Sequence, residues 1–251
     1  MAVLRGTIFS EALGMNTGLT VVTPRNTLIG GEPYKVIYIL HGLSDDHTCW
    51  SDHTMLPLFS SEHNVVFIMP ETQRCWYTDM KYGPNYFTYI ADELPKICKQ
   101  LFNISAKRED TAVMGLSMGG YGALKCALSR PEQYSVCCAF SSGCDLGQYL
   151  SKPDCGFYHE LKACFGEDLV FPEEADLYRL AEKCIKSPEV PQFHMTCGLQ
   201  DELLEDNHKL RDHMKNLGYP LEYQEWEGIH EWYFWNTSLK MMLDRYFPKE
   251  K

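Results

Sequence analysis

The residues best placed to do chemistry in this chain are Gly115-Leu116-Ser117-Met118-Gly119. They stand between an apolar run, Thr111 to Leu116, that reads as a strand and an amphipathic run, Gly120 to Ser129, that reads as a helix. A turn that tight needs small residues on both sides of the serine. Gly115 and Gly119 supply them, and Gly120 relieves further crowding. Ser117 is then expected to hold its hydroxyl out at the end of a sheet, with a helix N-terminus beneath it. A serine hydroxyl is a weak nucleophile at neutral pH. It needs a base to take its proton and an acid to orient that base.

The base expected from chain order is His230, in Glu227-Gly228-Ile229-His230-Glu231-Trp232. It follows the strand-like run Leu221 to Trp226, precedes the last helical run, and is the one histidine of nine in that place. The expected acid is Asp201, first after the apolar run Phe193 to Cys197 and its Gly198-Leu199-Gln200 extension. Asp145, just after the run Ser135 to Phe140, is the alternative acid. Glu202, Glu205 and Asp206 suit the start of a helix through its dipole. A tetrahedral oxyanion needs two donors. The N–H of Met118 is one, and the loop His41-Gly42-Leu43-Ser44-Asp45 offers the N–H of Leu43 as the other, with Gly42 letting the backbone approach. His41 itself reads either as a supporting turn residue or as a direct participant.

Positioning such a site takes a sheet. Val3 to Ser10 and Thr17 to Thr23 read as a hairpin turning at Gly14-Met15-Asn16. Val36 to Leu40, Val65 to Met69, Thr111 to Leu116, Ser135 to Phe140, Phe193 to Cys197 and Leu221 to Trp226 read as strands. The continuous apolarity of Val36 to Leu40 and of Val65 to Met69 suits burial on both faces. Helix-like runs alternate with them: Tyr86 to Phe102 with a kink or break at Pro95, Gly119 to Ser129, Leu203 to Leu217 and Tyr233 to Tyr246. This alternation predicts an α/β fold with a mostly parallel central sheet, an N-terminal antiparallel hairpin and helices on both faces. The stretch from Asp145 to Pro191 breaks the rhythm and is expected to form a small cap over the strand ends, within one domain spanning residues 1–251.

The chain has 251 residues and a formal charge of −11, which argues against nucleic acid or an anionic membrane as the main partner. No apolar run reaches the length of a membrane span, and the N-terminus lacks a signal-peptide pattern. The 11 cysteines include no Cys-x-x-Cys pair and mostly lie in apolar stretches. They read as reduced thiols of a cytoplasmic protein, and the sequons at Asn103 and Asn236 as accidental. No metal spacing appears among the histidines and cysteines, and the glycines near Ser117 fail the dinucleotide-loop pattern.

With these motifs in place, the chain resembles the esterase D-like branch of the α/β-hydrolases, most closely tributyrin esterases and small bacterial cinnamoyl (feruloyl) esterases. The resemblance rests on Phe9-Ser10-Glu11-Ala12-Leu13-Gly14-Met15, on His41-Gly42-Leu43 through Trp50, and on Tyr77-Thr78-Asp79-Met80 with Tyr89 to Pro95. It continues through Gly115 to Ala123, Gly198 with Asp201, and Gly228 with His230 and Trp232. It implies an α/β-hydrolase fold, hydrolysis of short acyl or aryl-acyl esters, no cofactor, and often a dimer or higher oligomer. It also favours Asp201 as the acid. S-formylglutathione hydrolases are relatives, but their loop usually continues with Cys and Thr where this chain has Ser44-Asp45-Asp46. An acyltransferase and a non-catalytic binding protein on the same fold are the remaining readings. Trp50, Trp76, Tyr82 and Trp232, with Tyr77 and the cap residues Phe157, Tyr158 and Phe165, are expected to wall a substrate pocket.

Overall fold

A computed structural model describes residues 1–25, 31–150 and 152–249. Its strands are β1 (Ala2–Ser10), β2 (Met15–Thr23), β3 (Lys35–Leu40), β4 (Val65–Pro70), β5 (Thr111–Leu116), β6 (Val136–Phe140), β7 (Gln192–Gly198) and β8 (Leu221–Trp226). Among the described residues they form one eight-stranded sheet in the order β1-β2-β4-β3-β5-β6-β7-β8. β1 and β2 pair antiparallel, as do β2 and β4, and every later pairing is parallel. The helices are α1 (Cys49–His53), α2 (Leu56–His63), α3 (Tyr86–Thr88), α4 (Leu94–Leu101), α5 (Met118–Ser129), α6 (Tyr158–Phe165), α7 (Leu177–Cys184), α8 (Leu204–Asn216) and α9 (Trp232–Tyr246).

The central strands β4, β3, β5 and β6 are almost wholly apolar because the sheet is covered on both faces, whereas β7 also buries His194 and Thr196. All six residues of β4 and of β5 are buried. Alternate residues enter two separate cores. Val113, Cys137 and Phe193 join the core beneath α4, α5 and α7. Met114, Cys138 and Phe140 join the one beneath α2 and α9. The adjacent Cys137 and Cys138 therefore pack in opposite directions, and all 11 cysteines are free thiols.

Two local expectations are revised. The hairpin turns at Glu11 to Gly14, not at Gly14 to Asn16, and Ser10 pairs with Met15. Glu93 holds that turn by accepting the N–H groups of Glu11 and Ala12, while Leu13 is buried. The Tyr86 to Phe102 run does not simply kink at Pro95. It passes through a π-helical turn, Tyr89–Glu93, and continues as α4 with Pro95 in its first turn. The helical run is unbroken from Tyr86 to Leu101, and the wider π turn just before Pro95 accommodates a residue that has no N–H to donate. α1 and α2, which the sequence pattern did not mark, cover the second core.

Between β6 and β7 the chain runs through a 3₁₀ turn (Leu146–Tyr149), α6, a second 3₁₀ turn (Glu173–Ala175) and α7. Backbone hydrogen bonds from Lys81 and Tyr82 to Cys164 and Ala163, both 2.9 Å, join this segment to the loop after β4.

Candidate active site

Ser117 connects β5 to α5 with φ 53° and ψ −120°, a conformation that side chains rarely adopt. The flanking glycines are steric requirements of that turn. A Cβ on Gly115 would stand 2.1 Å from the Gly119 carbonyl oxygen, and one on Gly119 would stand 2.3 Å from that of Leu40. The turn is also fixed through its backbone. The Ser117 N–H donates to Phe140 O at 2.9 Å, and Ser117 O accepts from Tyr121 and Gly143 N–H, both at 3.1 Å.

The structure brings His230 and Asp201 to this serine from the loops after β8 and β7. His230 Nε2 lies 3.0 Å from Ser117 Oγ. On the other side of the ring, Nδ1 lies 3.0 Å from Asp201 Oδ2 and 3.2 Å from Oδ1. A carboxylate accepts only, so Nδ1 carries the proton and the Nε2 lone pair faces the serine hydroxyl. Asp201 Oδ1 also accepts the Leu203 N–H at 2.9 Å. Burial pushes the Asp201 carboxyl up, but the His230 hydrogen bond and charge, with the Leu203 N–H, outweigh it and hold the group below its ordinary range. Trp235 packs edge-on to the His230 ring at 4.9 Å. Asp145 lies elsewhere: it accepts the Gln148 N–H at 3.3 Å and caps the 3₁₀ turn after β6.

The loop after β3 faces the same serine. Met118 opens α5, where helix geometry leaves its N–H uncommitted. The Leu43 N–H has no hydrogen-bond partner among the described residues. His41 is buried and turned away from the cleft. Its Nε2 accepts the Thr72 N–H at 3.1 Å, so Nδ1 carries the proton and donates to Gly42 O at 2.8 Å. Gly42 C=O and Leu43 N–H belong to one planar peptide and point in opposite directions. Drawing the carbonyl toward His41 therefore aims the Leu43 N–H the other way. Tyr77 Oη donates to His41 O at 3.0 Å, and Asp45 Oδ2 accepts the Gly42 N–H at 3.3 Å, so the preceding peptide is held as well.

An open cleft of about 520 Å³ begins at Ser117 and His230 and is bounded by Leu43, Asp45, Trp232 and Tyr233. Of the aromatic residues expected to wall it, Trp232 does so. Trp50 does not: it is 1% exposed, its indole N–H donates to Leu40 O at 2.9 Å, and it packs against Phe140. α1 turns its ring inward. Trp76 is also buried, between Tyr121 and Phe157. Tyr82 is exposed, outside the cleft, where its backbone meets Ala163. Tyr77 is fully buried behind the loop after β3, and Phe165 packs on Phe171. Sequence reasoning missed Tyr233, Trp235 and Asp45 as neighbours of the serine. The i, i+1 and i+3 offsets of Trp232, Tyr233 and Trp235 at the start of the helix after His230 were the available signal.

The family model described as "Putative esterase" matches residues 10–246. The chain belongs to this esterase family. It is 28% identical to an acetyl esterase of Caldicellulosiruptor saccharolyticus, over 95% of this chain and 96% of that protein. It is also 28% identical to an S-formylglutathione hydrolase of Bos taurus, over 81% of this esterase and 79% of the bovine protein. Among solved structures, a fluorophosphonate-binding serine hydrolase F of Staphylococcus aureus superposes with a TM-score of 0.90 at 28% identity, covering 98% of each chain. The esterase is accordingly a carboxylic ester hydrolase of α/β-hydrolase fold, within the esterase D-like group.

Proposed function

We propose that Ser117, His230 and Asp201 are the catalytic residues of this esterase and that it cleaves short-acyl esters of uncharged alcohols. The observation that carries the proposal is the unbroken chain from Ser117 Oγ through His230 to Asp201, each link 3.0 Å long, at the floor of an open cleft. Ser117 Oγ attacks the ester carbonyl as His230 Nε2 takes its proton. Asp201 holds the imidazole in the required tautomer and stabilises imidazolium. The Met118 and Leu43 N–H groups receive the oxyanion. His230 returns the proton to the departing alcohol, and water deacylates the serine by the same path in reverse.

The acyl preference follows from where the aromatic residues lie. With Trp50 and Trp76 packed in the interior, the aromatic wall that would favour a feruloyl group is reduced to the Trp232–Tyr233 side of the cleft. That side suits the alcohol portion of the substrate. Among the described residues that line the cleft are Asp45 and Glu231 but no lysine or arginine, and Arg74, which reaches Leu43 O from outside the lining, is paired with Glu160; this charge balance disfavours a thioester of the twice-carboxylated glutathione. Its openness to water favours hydrolysis over acyl transfer. The segment 145–191 serves as a cap on this reading, and the unpaired cysteines fit a reducing, cytoplasmic setting.

The test is a panel of acetyl, butyryl and feruloyl esters together with S-formylglutathione, assayed with native enzyme and Ser117→Ala. Acetyl and butyryl esters are expected to turn over fastest, and Ser117→Ala to abolish turnover. Preference for feruloyl esters or S-formylglutathione would overturn the substrate assignment, and retained turnover in Ser117→Ala the nucleophile.

A further inference from the structure

α5 carries a lysine in a stretch of the helix, Gly119 to Leu128, that is otherwise small or apolar. Lys125 lies two turns beyond Ser117 and is 2% exposed. Among the described residues, no carboxylate comes within ion-pair distance of its ammonium. Nζ instead donates to Tyr77 O and Thr78 Oγ1, both at 2.9 Å, and sits 4.6 Å from the centre of the Phe87 ring. Burial pushes this lysine down to about 8, outweighing the opposing effects of Cys126, Asp79, Cys75 and Cys164. A buried cation without an anionic partner is costly, so its presence here calls for a role.

The segment it holds is strained. Trp76 and Tyr77 follow one another with φ of 49° and 47°, both in the left-handed region that bulky residues avoid. Such a turn persists only where its surroundings fix it. The Tyr77 ring lies directly over Gly122 on α5, so closely that a Cβ there would be 2.4 Å from the ring. Lys125 pins the same residue through its carbonyl. The far end of Tyr77 is its hydroxyl, which donates to His41 O, the carbonyl immediately before the Gly42–Leu43 peptide.

We propose that Lys125 is a positioning residue for the oxyanion loop, acting through Tyr77: the ammonium fixes the Tyr77 carbonyl, and the Tyr77 hydroxyl fixes His41 and, with it, the direction of the Leu43 N–H. The proposal rests on the reading of Ser117 as nucleophile and Leu43 as oxyanion donor. α5 thereby holds both halves of the reacting geometry, the serine at its N-terminus and the loop opposite through its third turn. Loss of the ammonium releases the turn and lets the donor drift from the oxyanion, with little consequence for ground-state binding.

The experiment compares native enzyme with Lys125→Met, Tyr77→Phe and the double variant, using a short-acyl ester and kcat per active site titrated with a fluorophosphonate. Each single variant is expected to lower kcat about tenfold, less than complete loss of an oxyanion donor, with KM nearly unchanged. The double variant is expected to be no slower than the slower single variant, because both act on one link. A purely structural lysine would lower the melting temperature and the titratable fraction while leaving kcat per titrated site intact. That result, or losses that multiply in the double variant, overturns the proposal. Tyr77→Phe removes one oxygen and keeps the relay testable if Lys125→Met folds poorly. Ser117→Ala run alongside separates the two levels: turnover surviving there refutes the site itself, whereas its abolition with an unchanged Lys125→Met refutes only the relay.

Discussion

Gln200 grips Gly228 from two sides, its backbone N–H donating to Gly228 O at 3.0 Å and its side-chain Oε1 accepting the Gly228 N–H at 2.8 Å. The loop bearing Asp201 and the loop bearing His230 are thereby joined one residue before Asp201 and two before His230. They also touch at Gly198, where a Cβ would meet Gly228 O at 2.3 Å. Alignment of the proposed acid with the proposed base is thus supported by contacts between the loops that follow β7 and β8, and the Nδ1 contact does not set it alone.

Gln200→Ala removes one of these two bonds and leaves the fold intact. It is expected to lower kcat about three- to tenfold with little change in KM, since a misaligned base acts only in the transition state. Gly198→Ala forces the loops apart and is expected to cost on the order of 10²-fold in kcat. Steady-state kinetics of both variants check the order. An unaffected Gly198→Ala enzyme would show that the loops need not touch.

Asp201→Asn keeps the side-chain shape and changes the partner of Nδ1. An amide can present its N–H to Nδ1, which would leave the proton on Nε2 and the base unable to accept from Ser117. The expected loss in kcat is on the order of 10³–10⁴, with substrate affinity retained. Asp145→Asn, which alters only the 3₁₀ cap, is expected to stay within about threefold of native kcat. Equal losses in the two variants would return Asp145 to consideration as the acid.

His41 sets a pH limit on folding. Burial lowers its pKa from the ordinary histidine range, outweighing the opposing effects of Glu71, the Gly42 carbonyl, Asp45 and Asp46. Protonation of Nε2 would also set a donor against the Thr72 N–H. The unfolded chain binds this proton near pH 6.5, whereas the folded protein binds it only at lower pH. Between those values the unfolded state holds more protons, so stability declines as pH falls below about 6.5 and rises as pH returns. Chemical denaturation from pH 7.5 to 5 is expected to show that decline in native protein and a shallower one in His41→Asn, whose amide can still donate to Gly42 O. Parallel profiles would remove His41 as the cause.

Chain order and local chemistry made much of this site readable. Strands β3 to β6 stand out because a sheet covered on both faces needs nearly uninterrupted apolar runs. Ser117, Asp201 and His230 follow three of the strands in that sheet, and the geometry brings them within hydrogen-bond distance of one another. Other features depend on contacts remote in sequence and left no local mark. The hairpin turn is held by Glu93, about 80 residues downstream. Trp50 occupies a loop-like position in the sequence, yet α1 directs it into the core. Lys125 and Tyr77 gain their relation only when α5 and the loop after β4 pack together. Tyr77 and Trp76 looked like rim aromatics because pattern reading places loops at the surface, whereas this loop turns inward on two positive φ angles.

The division between core and cleft aromatics yields a last pair of variants with opposite phenotypes. Tyr233 is 84% exposed and borders the cleft, so Tyr233→Ala removes almost no packing. It is expected to leave the melting temperature unchanged while raising KM severalfold for esters of bulky alcohols and hardly at all for ethyl esters. Trp50→Ala instead opens a cavity beside Phe140 and Trp232 and removes the indole donor from Leu40 O, at a cost of about 3–5 kcal/mol in stability. Its relative rates on acetyl, butyryl and feruloyl esters should match those of native enzyme wherever it remains folded, because the ring never reaches the substrate. Measuring both properties in both variants decides the assignment. A change in acyl preference in Trp50→Ala at a temperature where it is folded would place that tryptophan back at the pocket, and a Tyr233→Ala enzyme indifferent to the alcohol would move the leaving group to another side of the cleft.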